Sequence, residues 1–331
     1  MSPYPQFARH PHRIPRCAFA GAALTLLLAT TSSAHAKAYK GAEVYGSQAV
    51  LYGRMEIRMR MIRGSGLLST FFTYKNGSEL SGALWEEIDV EALGKNGAMA
   101  WQSNLITGNP RVTSEQMHTA TTSLADDYHT YRIDWTPDYV SWSFDDTEVR
   151  RTEGGQATTL THAHSLRFNV WSSESTGWAG ELDESALPAY QFVNWIRYYS
   201  YENGQFVLDW TDDFNTFDTS RWAKGNWSFD GNRVDFDPTN AVVQDGTLVL
   251  AITKEGATGF TGTVPTDPQG NASNAPIPPA TATPTTPTAS NSDSSACNLA
   301  QSRPTRRSAL AIVAFGLAGG LLASRRRSHL N

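Results

Sequence analysis

Between Gly53 and Met61 the chain alternates without a break. Met55, Ile57, Met59 and Met61 fall on one side, and Arg54, Glu56, Arg58 and Arg60 on the other. A period of two residues is what an extended strand with one packed and one wet face requires. The methionine side reads as core, because flexible thioethers fill irregular gaps well. The same alternation returns in Leu67 to Tyr74, Ala100 to Thr107, Ser165 to Trp171 and Phe192 to Tyr199. Turn chemistry separates such segments: Lys75-Asn76-Gly77, Thr136-Pro137-Asp138, Asp145-Asp146 and Asn203-Gly204. No segment sustains a helical period. Many short strands at regular spacing predict an all-β sandwich of two antiparallel sheets.

The two ends read differently. Residues 1–36 carry Arg9, Arg13 and Arg16, an apolar run from Ala18 to Ala29, and then Ala34-His35-Ala36. A basic head, an apolar stretch and alternate small residues make a secretory leader, cut after Ala36. Residues 264–308 read as a spacer: Pro265 to Ala296 is rich in Pro, Thr, Ser and Asn, a composition of extended, disordered chain. Residues 309–331 place an apolar run, Ala309 to Ala323, before Arg325-Arg326-Arg327. That run is short of the roughly 20 residues of a full span, yet the arginines give it stop-transfer polarity. It resembles the sorting tags of some bacterial surface proteins. A transmembrane helix and a sorting tag both stay open, each implying contact with a membrane or sorting system. Either way the working part is expected to be secreted or attached to the cell surface.

That working part, residues 37–263, contains no cysteine, since Cys17 lies in the leader and Cys297 in the tail, so no disulfide staples it. About 225 residues suffice for one large sandwich with its own core, expected to act as a monomer. A formal charge of −5 gives no sign of a nucleic-acid partner, and the eight His lack ligand-like spacing, so no cofactor for catalysis is implied.

One strand is unusual. In Glu87-Ile88-Asp89-Val90-Glu91 three carboxylates share a face while Ile88 and Val90 turn to the core. Adjacent like charges raise one another's pKa, so fold stability gains nothing from them. The alpha carbons of Glu87 and Glu91 lie about 13 Å apart on an extended strand. Side chains leaning inward bring the carboxyls to about 5–6 Å. A retaining glycosidase needs about 5–5.5 Å between nucleophile and acid/base, and an inverting one roughly 6.5–9.5 Å. A solvated acidic strand face is the competing reading. Neighbouring strands favour the first. Phe72, Tyr74 and Asn76 share one face, as do Gln102 with Asn104, and Arg167 with Asn169 and Trp171. Aromatic and amide groups mixed in this way suit the lining of a carbohydrate groove, with the chain's ten Trp as stacking platforms.

Glu87-Ile88-Asp89-Val90-Glu91 followed by Leu93-Gly94 resembles the active-site signature of glycoside hydrolase family 16 in its lichenase form. His129 to Val140 is similar to the hairpin that follows it there. Laminarinase-type members insert one more residue between the Asp and the second Glu, where this chain has only Val90. Asp209-Trp210-Thr211-Asp212-Asp213-Phe214-Asn215 and Ser220-Arg221-Trp222 resemble a stretch that precedes the acids in most lichenases and here follows them. The chain therefore resembles a circularly permuted lichenase, with Asn203-Gly204 joining the old ends.

The resemblance implies a jelly-roll, concanavalin-like, with an open cleft for a linear β-glucan. It makes Glu87 the nucleophile, Asp89 its electrostatic helper and Glu91 the acid/base. It also implies that Phe72, Tyr74, Asn76, Gln102, Asn104, Arg167, Asn169, Trp171, Trp178 and Trp227 face substrate, with Glu115 at the groove margin. A structural calcium on the convex side is implied at Asn194, Asp213 and Gly246, weakened because Asn194 replaces the usual Asp. The activity implied is that of a retaining endo-β-1,3-1,4-glucanase on mixed-linkage glucans. A β-1,3-glucan or xyloglucan hydrolase, and a non-catalytic carbohydrate-binding jelly-roll, are the alternatives.

Overall fold

The computed structural model describes residues 36–273. Within them run sixteen strands: β1 (Tyr39–Val50), β2 (Gly53–Arg60), β3 (Leu67–Tyr74), β4 (Trp85–Leu93), β5 (Ala100–Gly108), β6 (Val112–Thr119), β7 (His129–Trp135), β8 (Tyr139–Phe144), β9 (Thr147–Glu153), β10 (His164–Ser172), β11 (Ala189–Glu202), β12 (Gln205–Asp212), β13 (Trp222–Lys224), β14 (Val234–Phe236), β15 (Ala241–Gln244) and β16 (Thr247–Lys254). A short helix, α1 (Thr176–Ala179), follows β10. Hydrogen bonds link the strands in the order β6-β5-β4-β3-β10-β1-β16-β11-β2-β7-β8-β9. β1 is where this ribbon changes layer, pairing with β10 along Ala42–Tyr45 and with β16 at Tyr39 and Lys40. A front sheet of β6, β5, β4, β3, β10 and β1 thus faces a back sheet of β16, β11, β2, β7, β8 and β9. This is the expected all-β jelly-roll.

The core lies where the two alternating patterns meet. Ile88, Val90, Phe71, Leu105 and Phe168 come from the front sheet, and Met55, Ile57, Met59, Tyr131, Ile133 and Trp142 from the back. Burying side chains of this size stabilises the fold by roughly 1.5–3 kcal/mol each. The methionine stripe is core, as the alternation predicts. Trp142 also satisfies its own polar atom: Nε1 donates to the Asp89 carbonyl at 3.0 Å. The back sheet thereby fixes the acidic strand from behind. Gly94 ends that strand by necessity, because an added Cβ would sit 2.4 Å from the Gly64 carbonyl. The tight hairpin at Asn203-Gly204 holds, with φ of 50° and 82°, the left-handed pair that a two-residue turn demands.

Three expectations need correction. The Arg54, Glu56 and Arg58 side of β2 is not wet: these side chains are 3–4% exposed. Each is paired, Arg54 with Asp134 at 2.7 Å, Glu56 with Arg197 at 3.2 Å and Arg58 with Asp267 at 2.9 Å. Buried charges persist only when matched in this way. Their cover comes partly from the second correction. The spacer expected from position 264 is ordered against the back sheet up to 273. Tyr128 donates to the Pro265 carbonyl, Asn194 to Asp267 and to the Gly270 carbonyl, and the Ala272 amide to Asp213. Composition hid this, because the anchor is a single acid 209 residues away from Arg58. Third, the transmembrane helix is not upheld. Among the described residues no helix is long and apolar enough to cross a membrane, and the apolar run from Ala309 lies outside them, as does the leader through position 35.

Candidate active site

Register across the front sheet arranges the site in rows. Glu91 stands opposite Gln102 on β5 and Thr70 on β3, and that row continues to Asn169 and Glu43. Asp89 stands between Asn104 and Phe72, and its row continues to Arg167 and Tyr45. Glu87 stands opposite Tyr74, beyond which lies Ser165. Side chains that share a parity share a face, so the acids, amides and aromatics all lie on the side of the front sheet turned away from the core residues Ile88 and Val90. Asp89 is 3% exposed, whereas Glu87 and Glu91 are half-buried.

The acids are not equivalent. Burial pushes Glu87 up to about 7, against the pull of the Trp85 N–H, of Asp89 and of Arg167. Burial, with repulsion from Glu87 and Glu115, pushes Glu91 up to about 8. Burial and the two flanking glutamates hold Asp89 well above the carboxylate range, so it keeps its proton and donates it to Glu87. Trp85 donates a second hydrogen bond to Glu87, from Nε1 to Oε2 at 2.5 Å. Glu87 thus has the hydrogen-bond donors that favour a carboxylate, while Glu91 is raised by burial and by neighbouring charge with no such donor.

The lining is cross-braced. Gln102 accepts from Trp178 Nε1 at 2.7 Å, and Trp178, on α1, packs against Trp171. Asn169 accepts from Thr70 and donates to Glu43. Arg167 pairs with Glu43 at 2.6 Å, donates to Asn76 at 2.8 Å and lies over the rings of Tyr74, Tyr45 and Trp227. Asn104 accepts from the Ser114 amide, and Glu115 lies exposed opposite it on edge strand β6. Trp227 is 36% exposed and Phe229 41%, forming a rim with Trp171 and Tyr45. Every lining position expected from the sequence lies on this face. Trp85, Glu43 and Thr70 were not expected. Trp85 was findable, being two residues before Glu87 on the same face. Glu43 was not, because its partner Arg167 is 124 residues away.

Of the positions implied for calcium, Gly246 lies beside the Asp213 carbonyl, 4.0 Å from where a Cβ would stand. Asn194 spends its amide N–H groups on Asp267 Oδ2 (2.7 Å) and the Gly270 carbonyl (2.6 Å). Asp267 is itself neutralised by Arg58. A donor beside a guanidinium does not suit a cation. Among the described residues no cluster of three or more acidic, His or Cys side chains is placed to hold a metal. The Asn194 side-chain N–H groups are thus committed, and any hold of Asn194, Asp213 and Gly246 on a cation would fall to their oxygens.

Three carboxyls in a row on one strand, flanked on the same sheet face by aromatics and amides, are the equipment of a glycoside hydrolase. Comparison with known proteins places the chain more closely. Residues 17–197 match the profile described as "Glycosyl hydrolases family 16", and the chain belongs to that family. It is 49% identical over 241 residues to a beta-glucanase of Fibrobacter succinogenes, covering 70% of this chain and 69% of the relative. A beta-glucanase of Bacillus subtilis is 32% identical over 172 residues, covering 52% of this chain and 67% of the relative. Among solved structures, a Bacillus licheniformis beta-glucanase aligns at 29% identity with a TM-score of 0.42, covering 47% of this chain and 70% of that one.

Proposed function

We propose that this chain is a secreted, retaining endo-β-1,3-1,4-glucanase acting on mixed-linkage glucans. The observation that carries the proposal is the row of three acids on one face of β4, with Trp85 and Asp89 hydrogen-bonded to Glu87 and with Glu91 raised by burial and neighbouring charge. A Glu87 oxygen attacks the anomeric carbon while Glu91 passes its proton to the departing glycosidic oxygen, so the C–O bond breaks and a glycosyl ester forms. Glu91, now ionised, takes a proton from water; the resulting hydroxide displaces Glu87 and restores both carboxyls. Asp89 holds Glu87 in place and spreads its charge. Phe72, Tyr74, Trp171, Trp178 and Trp227 supply apolar faces for sugar rings, and Asn76, Gln102, Asn104, Glu115, Arg167 and Asn169 supply polar groups for hydroxyls.

The preference for mixed linkages rests on Val90 alone standing between Asp89 and Glu91, and the beta-glucanase relatives support the substrate class. Export rests on the basic, apolar and small-residue sequence of the leader, with the cut after Ala36. Reducing-end release from lichenan, laminarin and xyloglucan tests the substrate, and proton NMR of the first product tests the stereochemistry. Lichenan is expected to be the best substrate and the β-anomer the first product. Preference for laminarin or xyloglucan, or an α-anomer, would overturn the reading.

A further inference from the structure

The residue that follows the leader cut is built into the cleft's rim. The Lys37 backbone nitrogen lies 2.8 Å from Asp235 Oδ2. Lys37 Nζ donates to Ser228 Oγ and to the Asn232 carbonyl, both at 2.6 Å. Those two acceptors bracket Phe229-Asp230-Gly231, the tip of the loop from Gly225 to Arg233. The same loop carries Trp227 and Phe229, the exposed aromatics packed at a tilt against Tyr45 and edge-on against Trp171. Its other ties run to the floor: the Gly225 amide to the Glu43 carbonyl, the Arg233 amide to the Ser172 carbonyl, and the Asn232–Ser173 bridge. β1 and β14 pair in parallel just beyond, with Lys40 opposite Asp235. Lys40 Nζ reaches Asp235 at 3.1 Å and Glu255 at 3.9 Å. Lys37 therefore touches both the carboxylate and the loop tip.

We infer that cutting the chain after Ala36 creates an α-ammonium on Lys37 that pairs with Asp235, so that both charges of Lys37 clamp the aromatic loop and the processed chain grips glucan more tightly than its precursor. The step is hydrolysis of the Ala36–Lys37 amide by an export peptidase that accepts small residues at positions 34 and 36. One water is consumed: its hydroxyl goes to the Ala36 carbonyl, which leaves as carboxylate, and protons complete the ammonium on Lys37. Before the cut the nitrogen offers Asp235 one neutral N–H; afterwards it offers three and a full charge. Burial raises the Asp235 carboxyl, but the Lys37 amide and the Lys40 ammonium outweigh that and hold it below its ordinary range. An acid kept ionised here is ready to receive a cation. The inference rests on the leader reading above, and N-terminal sequencing of the exported protein reports that separately.

The test compares residues 37–331, beginning at Lys37, with residues 32–331, each with Asp235 and with Asp235→Asn. Melting temperature needs no substrate, so it reads the clamp even if the favoured glucan is not lichenan. The Lys37-start chain is expected to melt a few degrees higher and to show a KM on barley glucan about 3- to 10-fold lower, with kcat within about twofold. Both gaps should close in the Asp235→Asn background. Equal melting and equal KM for the two starts, or gaps that survive Asp235→Asn, would overturn the inference.

Discussion

Replacing Glu91 by Gln should make the protein more stable and nearly inactive, with a pH signature that separates the two effects. In the folded chain Glu91 is raised from 4.5 to about 8. A carboxyl raised on folding costs nothing below its unfolded value, where both states hold the proton. Its cost grows as pH rises from 4.5 towards 8, because the unfolded state ionises first. At pH 7 the gap spans about two and a half pH units, and each unit corresponds to about 1.4 kcal/mol. Glu91 keeps some solvent contact and shares its field with Glu87 and Asp89, so the cost discounts to about 1–2 kcal/mol. The neutral amide of the Glu91→Gln protein carries no such cost. For a domain of this size the gain appears as a melting temperature about 3–6 °C higher at pH 7, shrinking to nothing near pH 4. Activity on lichenan should fall about 10²- to 10⁴-fold through loss of the proton donor. Aryl glycosides whose leaving groups need no protonation should lose less in the first step. Scanning fluorimetry of both proteins from about pH 4 to 8 decides the matter. A melting difference that stays flat with pH, or a Glu91→Gln protein that is less stable than the parent at pH 7, would refute the reasoning.

Trp85→Phe keeps the ring but removes a donor from Glu87, whose ionisation should become harder; the acid limb of kcat/KM is expected to move up by about 0.5–1 pH unit, and a limb that stays put would remove Trp85 from the assignment. Asp267→Ala strands the Arg58 guanidinium in a buried setting, at a cost of about 3–5 kcal/mol, so melting should drop by about 10 °C with KM unchanged; an unaltered melting curve would mean the 264–273 segment carries no load. Trp142→Phe retains most of the core volume but frees the Asp89 carbonyl, costing about 1 kcal/mol and lowering kcat more than it raises KM, which steady-state kinetics would check. With the Asn194 N–H groups committed to Asp267 and the Gly270 carbonyl, a cation there would rest on few oxygens, so chelating calcium is expected to shift melting by less than about 1 °C; a large loss on chelation would show that Asn194, Asp213 and Gly246 do hold one.

Most of the front sheet was legible because its information is local. A two-residue period assigns faces without knowledge of neighbours, and it put Phe72, Tyr74, Gln102, Asn104, Arg167, Asn169 and Trp171 on the side where the register places them. The acid strand identified itself, since three like charges on one face have no structural excuse. What stayed hidden depended on partners remote in sequence. Arg54, Glu56 and Arg58 look like solvent-facing residues until Asp134, Arg197 and Asp267 are brought against them. Glu43 is an unremarked acid on β1 until Arg167 and Asn169 arrive from β10. The tail up to 273 has the composition of a spacer, and one buried ion pair reverses that reading.

The central claim is that Glu87 forms the bond to sugar while Glu91 handles the proton. An activated 2-deoxy-2-fluoro β-glucan oligosaccharide should trap the glycosyl ester, and peptide mass spectrometry should then find the added mass on Glu87 alone. A label on Asp89 or Glu91, or an enzyme that turns over normally without ever becoming labelled, would contradict it.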